Sequence, residues 1–222
     1  MADAFSTTIW NTILQAKGGR ITAVNQVVEK YRPPVVAFLR SRGHSMEDAE
    51  DLAQEVFLTV VRDDLLARAD RERSRFRTFL LSIVRNVMAN AGRVRRASKR
   101  GGGTEPLPLD GLLRDIASPV DPDDTFDGEW IQHLLRLAVE RLREVDPGMH
   151  QALRLREEGK NHEEVGSIMG ITAKQAANLV QGARKKVSDL IRREIEAYCS
   201  SSEEYRDEVA YLKRYLKSPE KP

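Results

Sequence analysis

The sequence predicts an all-helical (all-α) fold of two small helical domains joined by an extended linker, the second containing a helix-turn-helix. Three observations carry this. Aromatic residues make up only 6% of the chain and β-branched runs are short, so strand signals are close to absent. Apolar residues recur at three- and four-residue steps in one segment after another, the spacing that lines one face of a helix. Glycine and proline gather between these segments, most densely at Gly101, Gly102, Gly103, Pro106, Pro108, Pro119 and Pro122, where no periodic pattern survives. At 222 residues, 41% of them hydrophobic, the chain is long enough for two small cores. The domains are expected at residues 1–97 and 127–197, with a flexible linker over 98–126 and a C-terminal extension over 198–222.

Phe5 to Lys17 is the first helical segment, with Ile9, Ile13 and Leu14 on one side and Gly18-Gly19 at its end. Thr22 to Arg42 follows, with Val24, Val27, Val28 and Tyr31 on one face. Pro33-Pro34 should break or kink it, because neither ring nitrogen can donate a ladder bond. Gly43 closes this section. Ser45 to about Val61 is the next helix, and a long one runs from about Arg75 to Arg96. The linker is roughly 25 residues, too long for an ordinary connection between packed helices. It carries Asp110, Asp115, Asp121, Asp123 and Asp124, a composition that can stay extended.

The second domain opens near Asp127 with a helix carrying Trp130, Ile131, Leu134, Leu135, Ala138 and Leu142. Asp146-Pro147 supplies an N-cap and a first-turn proline for a helix through about Glu158, which Gly159 ends. Helices over Glu163 to Met169 and Ala173 to about Ala197 complete it. In the tail, Tyr205, Val209, Leu212 and Leu216 stand at helical spacing after Ser200, Ser201 and Ser202.

Charge is segregated along the chain, although its net value is only +2. Arg62 to Arg100 holds twelve Lys or Arg against four acidic residues, whereas every charged residue from Glu47 to Glu55 is acidic. On the helix from Ser45, the residues Ala49, Leu52, Ala53, Val56, Phe57 and Val60 form one apolar stripe. Ser45 suits the N-cap, and Glu47 and Asp48 lie in the first turn, where acids complement the helix dipole. That explanation fades by Asp51 and Glu55, a like-charge pair four residues apart with no basic residue nearby. Their face either meets water or docks on a basic partner.

On the long helix, Phe76, Phe79, Leu80, Ile83, Val84, Val87, Met88 and Ala91 fit the helical period and form core. The other side offers Arg77, Arg85, Asn86, Asn90 and Arg93, with Arg71, Arg73 and Arg75 before it and Arg95, Arg96, Lys99 and Arg100 after it. Arginines at this density suit phosphate contacts, and asparagine amides suit base edges. With no interleaved acids, nucleic acid is a better fit than a solvated basic face. Further on, Val165, Ile168, Met169, Ile171, Ala176, Val180, Ala183 and Val187 give the inner face of two helices crossing through a tight turn. Gly170 takes the left-handed position and Thr172 caps the second helix. An ordinary helical hairpin would share these features.

Other chemistry finds little support. His44, His133, His150 and His162 are scattered, no metal or nucleophile spacing occurs, and Gly101 to Gly103 lack a phosphate-loop pattern, so neither an enzyme nor a cofactor is expected. The one cysteine, Cys199, rules out an intramolecular disulfide. No window approaches the roughly 18 apolar residues of a membrane span, and the N-terminus lacks a signal peptide, so a cytoplasmic protein without membrane partners is expected.

Two strings, His44-Ser-Met-Glu-Asp-Ala-Glu-Asp-Leu-Ala-Gln-Glu-Val-Phe57 and Arg75-Phe-Arg-Thr-Phe-Leu-Leu-Ser-Ile-Val-Arg-Asn86, resemble the core-binding and promoter-binding segments of bacterial RNA polymerase sigma factors. The nearest branch of the sigma-70 family is the small extracytoplasmic-function (ECF) type. Phe5-Ser-Thr-Thr-Ile-Trp10, Ala67-Arg-Ala-Asp70 and Lys99-Arg-Gly-Gly-Gly103 are similar to one of its subgroups. Glu164-Val-Gly-Ser-Ile-Met-Gly-Ile-Thr172 and Ala183-Arg-Lys-Lys-Val187 resemble the C-terminal DNA-reading helix-turn-helix of that family.

The resemblance implies a protein that binds core RNA polymerase, recognises a bipartite promoter and promotes melting at transcription initiation. It implies that Asp48, Asp51, Gln54 and Glu55 dock on the clamp helices of the largest polymerase subunit. A loop from about Asp63 to Ser74 would capture a flipped base, with Arg73, Arg75, Arg77, Arg85, Asn86, Asn90 and Arg93 on the melted strand and its backbone. In the helix-turn-helix, the upstream duplex would meet Thr172, Lys174, Gln175, Asn178, Gln181, Arg184 and Lys185. Ala177, Leu179 and Gly182 stand where family members commonly carry basic residues. The linker aspartates would mimic the charge of RNA on its exit path. An anti-sigma factor, or a kinase acting on the serine run, would be a regulatory partner. The tail helix either docks on a domain and masks polymerase contacts or extends the C-terminal core.

Two alternatives remain at this point. A helix-turn-helix regulator would bind an operator without polymerase, and a sequestering interaction module would bind no DNA.

Overall fold

The computed structural model describes residues 21–61, 76–99, 123–199 and 201–216. The expected helix Phe5 to Lys17, the loop of about Asp63 to Ser74 and most of the linker lie outside the described residues. Eight helices and no strand occur among the described residues. They are α1 (Ile21–Ser41), α2 (Met46–Val61), α3 (Phe76–Lys99), α4 (Asp124–Val145), α5 (Pro147–Glu157), α6 (His162–Met169), α7 (Ala173–Glu196) and α8 (Ser202–Leu216). The chain divides into two compact units, Met1–Trp130 with Ala197–Pro222, and Ile131–Glu196.

In the first unit, α1 runs unbroken through Pro33 and Pro34, contrary to the expected interruption. Two ladder bonds are lost there, but Tyr31, Val35, Phe38 and Leu39 are all buried, and packing of that stripe offsets the loss. Gly43, at φ +89°, ends the helix. The His44 N–H reaches back to the Leu39 carbonyl at 3.3 Å, satisfying an orphan acceptor. α2 packs against α1 and α3 through Ala49, Leu52, Ala53, Val56, Phe57 and Val60, all buried. Arg32 pairs with Glu50 across α1 and α2.

This unit also takes in parts of the chain that periodicity assigns elsewhere. The first turns of α4 bring in Phe126 and Trp130, and the chain returns at Tyr198 and α8. Trp130 stacks on Tyr31 with centroids 5.1 Å apart and meets Tyr198 edge-on at 5.6 Å. Phe38 and Phe126 make a further edge contact at 5.3 Å. Trp130 therefore belongs to the core of the first unit, not of the second. The tail helix docks there too, burying Leu212 and Glu208.

The second unit follows its caps closely. Asp146 accepts from the Met149 N–H at 2.9 Å and Pro147 opens α5. Asn161 and Glu164 form a capping box at the start of α6, with bonds of 2.7 and 2.9 Å. Gly170, at φ +69°, ends α6 in the left-handed region. Thr172 and Gln175 then make a second reciprocal pair at the start of α7, the Gln175 N–H reaching the Thr172 hydroxyl at 3.2 Å and the Thr172 N–H reaching Gln175 Oε1 at 2.9 Å. Ala152, Val165, Ala176 and Val180 form the core between α5, α6 and α7, with Leu155, Met169, Ile171 and Leu179 against it. Ile168 departs from the expected inner face and is 53% exposed. The two-turn α6 can turn only one row inward, and Val165 and Met169 occupy it.

Candidate polymerase and promoter interface

On α2 the buried stripe leaves the opposite face in water. Asp51, Gln54 and Glu55 are exposed along it, and Asp48 is half-exposed in the first turn. Asp48 is partly engaged at home. Its backbone N–H donates to the Ser45 hydroxyl at 3.0 Å, and its carboxylate lies 3.5 Å from Arg95. The Ser45 hydroxyl, with help from Arg95, holds the Asp48 carboxyl below the ordinary carboxylate range. Asp51 and Glu55 form no ion pair among the described residues, although Arg95 and His44 line the same groove as Asp51. Asp48, Asp51 and Leu52 share an open groove of about 350 Å³ with His44, Met88 and Arg95, where α2 meets the second half of α3.

α3 is buried on more than the expected stripe. Phe76, Phe79, Leu80, Ile83, Val84 and Val87 pack inward, but so do Leu81 and Arg77. Arg77, expected on a nucleic-acid face, is 3% exposed and pairs with Asp127 and Glu208, its Nε lying 2.8 Å from Glu208 Oε1. Nine residues separate Arg77 from Asn86, which places them about 180° apart around a helix of 3.6 residues per turn. No single surface can meet both.

Arg85, Asn86 and Asn90 are half-buried and Arg93 is exposed. Arg93 donates to Asn90 Oδ1, so one amide acceptor is already used. Arg85 lies 3.2 Å from Asp123, which also pairs with Arg42. Asp123 in turn caps α4, its Oδ1 accepting from Thr125 and Phe126 N–H groups at 3.1 and 3.3 Å. Burial pushes the Asp123 carboxyl up, but Arg85, the Phe126 N–H and Arg42 outweigh it and leave the group below its ordinary value. Neither Arg42 nor this use of Asp123 was legible from periodicity, since the pairing spans 81 residues. Arg73 and Arg75 lie outside the described residues.

On the second unit, Thr172, Lys174, Gln175, Asn178, Gln181, Arg184 and Lys185 are all exposed, and Lys174, Asn178, Gln181 and Lys185 form one continuous stripe along α7. Leu179 and Gly182 lie off this stripe. Leu179 packs on the core, and a Cβ at Gly182 would meet Met149 Cε at 2.9 Å. Their apolar character thus reflects packing rather than a lost phosphate contact.

Residues 27–100 match the family model of sigma-70 region 2. This segment, about a third of the chain, is similar to sigma-70 region 2. No curated protein matches the chain. The matched segment comprises most of α1 with α2 and α3, and it holds both the acidic face and Arg85, Asn86, Asn90 and Arg93. No helix among the described residues is long and apolar enough to cross a membrane.

Proposed function

We propose that the chain is an RNA polymerase sigma factor of the ECF branch, which binds core polymerase, recognises a bipartite promoter and promotes its melting. One observation supports the reading above the others: a segment matching region 2 whose α2 turns Asp51, Gln54 and Glu55 to solvent, outside any ion pair among the described residues. A basic partner surface would relieve the repulsion between Asp51 and Glu55, and Asp48 would add to the contact at its edge. Arg85, Asn86, Asn90 and Arg93 would hold the melted strand, and the loop of about Asp63 to Ser74 would take the flipped base. On the upstream duplex, Lys174, Arg184 and Lys185 would contact phosphates while Gln175, Asn178 and Gln181 reach base edges, with Thr172 at the start of the helix. The protein would act in the cytoplasm, without a catalytic group or cofactor of its own.

In vitro transcription with core polymerase and genomic promoter fragments tests the reading. The wild-type chain should direct initiation at discrete promoters. Reversing charge at Asp51 and Glu55 should abolish core binding and leave the helical circular dichroism unchanged. Undiminished core binding by that variant would overturn the assignment of the acidic face.

A further inference from the structure

Two arginines distant in sequence converge on one oxygen. Arg42, just past the end of α1, and Arg85, on α3, both meet Asp123 Oδ2, while their own side chains remain 43% and 37% exposed. The two guanidinium groups share a single carboxylate oxygen, so each fork makes only one hydrogen bond to it. Half-open forks of this kind suit an oxyanion with several acceptor oxygens better than a single carboxylate. Arg85 also precedes Asn86 on the side of α3 given above to the melted strand.

Asp123 is held there by more than its own charge. Its other oxygen caps α4. Asp124 beside it and Asp127 one turn on are gripped by α8: the Tyr215 hydroxyl donates to Asp124 at 2.7 Å and lies 3.3 Å from Asp127, and the Tyr211 hydroxyl donates to Asp127. Arg77 ties Asp127 to Glu208 of the same helix. The acidic first turn of α4 is thus clipped onto region 2 by the C-terminal helix.

We propose that Arg42 and Arg85 form a binding site for a DNA backbone phosphate, that Asp123 is its built-in occupant, and that α8 is the latch keeping Asp123 in place. The proposal rests on the sigma-factor reading and adds to it one contact residue, Arg42, and an internal competitor. DNA engages the pair only when the α4 turn withdraws, so the free chain binds DNA less well than its exposed arginines would allow.

The test uses the full chain with a labelled promoter fragment and measures affinity by fluorescence anisotropy across a salt series. Asp123→Asn keeps the cap, since an asparagine oxygen accepts the same N–H bonds, but removes the charge. It should bind about tenfold more tightly at low salt, with a steeper fall of log affinity against log salt by about one to two phosphate contacts. Adding Arg42→Ala and Arg85→Ala should erase the gain. The pair Tyr211→Phe and Tyr215→Phe, which loosens the latch without touching the α4 cap, should shift affinity in the same direction by a smaller factor. Unchanged affinity and slope in both the Asp123 and tyrosine variants would overturn the proposal, as would a gain that survives loss of both arginines. Promoter-directed transcription by the parent chain with core polymerase separates the two claims. A parent that initiates nowhere defeats the sigma-factor reading, whereas a parent that initiates while the variants bind unchanged defeats the phosphate plug alone.

Discussion

Arg77 Nε donates to Glu208 Oε1 at 2.8 Å across 131 residues of sequence, inside the core of the first unit. Burial works against the guanidinium charge, but Glu208 and Asp127 more than compensate and hold Arg77 above its ordinary pKa. Asp127 also lies above its ordinary value, because burial raises its carboxyl more than Arg77 lowers it, so there the charged form is disfavoured. The cluster is therefore finely balanced and dependent on each member. Breaking a buried pair by removing one partner typically costs about 3–5 kcal/mol, since the other charge is left stranded. Glu208→Ala should destabilise the first unit by an amount of that order, read from the urea midpoint of Trp130 fluorescence. Truncation after Ala197 should cost more, because Leu212 is lost as well. An unmoved midpoint in both would mean that α8 adds nothing to region 2.

Two glycines of the second unit should respond differently to alanine. At Gly166 a Cβ would sit 2.7 Å from the Ile171 carbonyl oxygen and 3.1 Å from the Thr172 carbonyl carbon, both backbone atoms of the tight turn. Gly166→Ala should cost about 1–3 kcal/mol, the usual scale for overpacking. At Gly182 the neighbour at 2.9 Å is the flexible end of Met149. There the gain of about 1 kcal/mol in helix propensity opposes a yielding contact. Gly182→Ala should leave the thermal midpoint of the unit almost unchanged, and pairing it with Met149→Ala should show less than additive loss.

Acid should release the α4 turn through Asp123. Its folded pKa is depressed, so the stabilisation is present above the unfolded value, about 3.9, and is lost as pH falls through the lower folded value. Asp127, with its pKa raised, carries the opposite sign, and its contribution is fully present below the unfolded value and lost as pH rises through the folded one. Urea titrations stepped downward from pH 6 should show the first unit losing stability below about pH 4. Asp123→Asn should flatten that limb. An identical limb in the variant would show that Asp123 does not carry it.

What could be read in the sequence was local. The stripe of Ala49, Leu52, Val56 and Phe57, the caps at Ser45, Asp146 and Thr172, and the left-handed Gly170 all depend on neighbours within a turn, so periodicity and cap chemistry suffice for them. Arg77 was misplaced for the converse reason. One-dimensional charge patterning assigns every arginine of α3 to a surface, and only contact with Asp127 and Glu208, from distant parts of the chain, takes this one inside. Trp130 was likewise given to the nearest helical domain, although its partners are Tyr31 and Tyr198. Gly182 read as a missing basic residue because Met149 is invisible to the period of α7.

Under the proposed function, the stripe Lys174, Asn178, Gln181 and Lys185 on α7 should separate affinity from specificity, and the two should fail differently. A lysine on a phosphate contributes a counterion-release term that is blind to sequence, so Lys174→Ala or Lys185→Ala should weaken binding to all upstream fragments alike. Each should also reduce the slope of log affinity against log salt by about 1. An amide on a base edge contributes little to that slope. Asn178→Ala should instead cost about 1–3 kcal/mol on the preferred upstream sequence, nothing on a scrambled one, and leave the salt slope intact. Gln175 is the exception within the set, because its Oε1 is already held by the Thr172 N–H and hydroxyl at 2.9 and 3.0 Å. Its substitution should combine a loss of helix capping with any loss of base contact. Holoenzyme binding to an upstream-element library distinguishes these outcomes. Equal losses on preferred and scrambled sequences for Asn178→Ala would remove this stripe from base recognition.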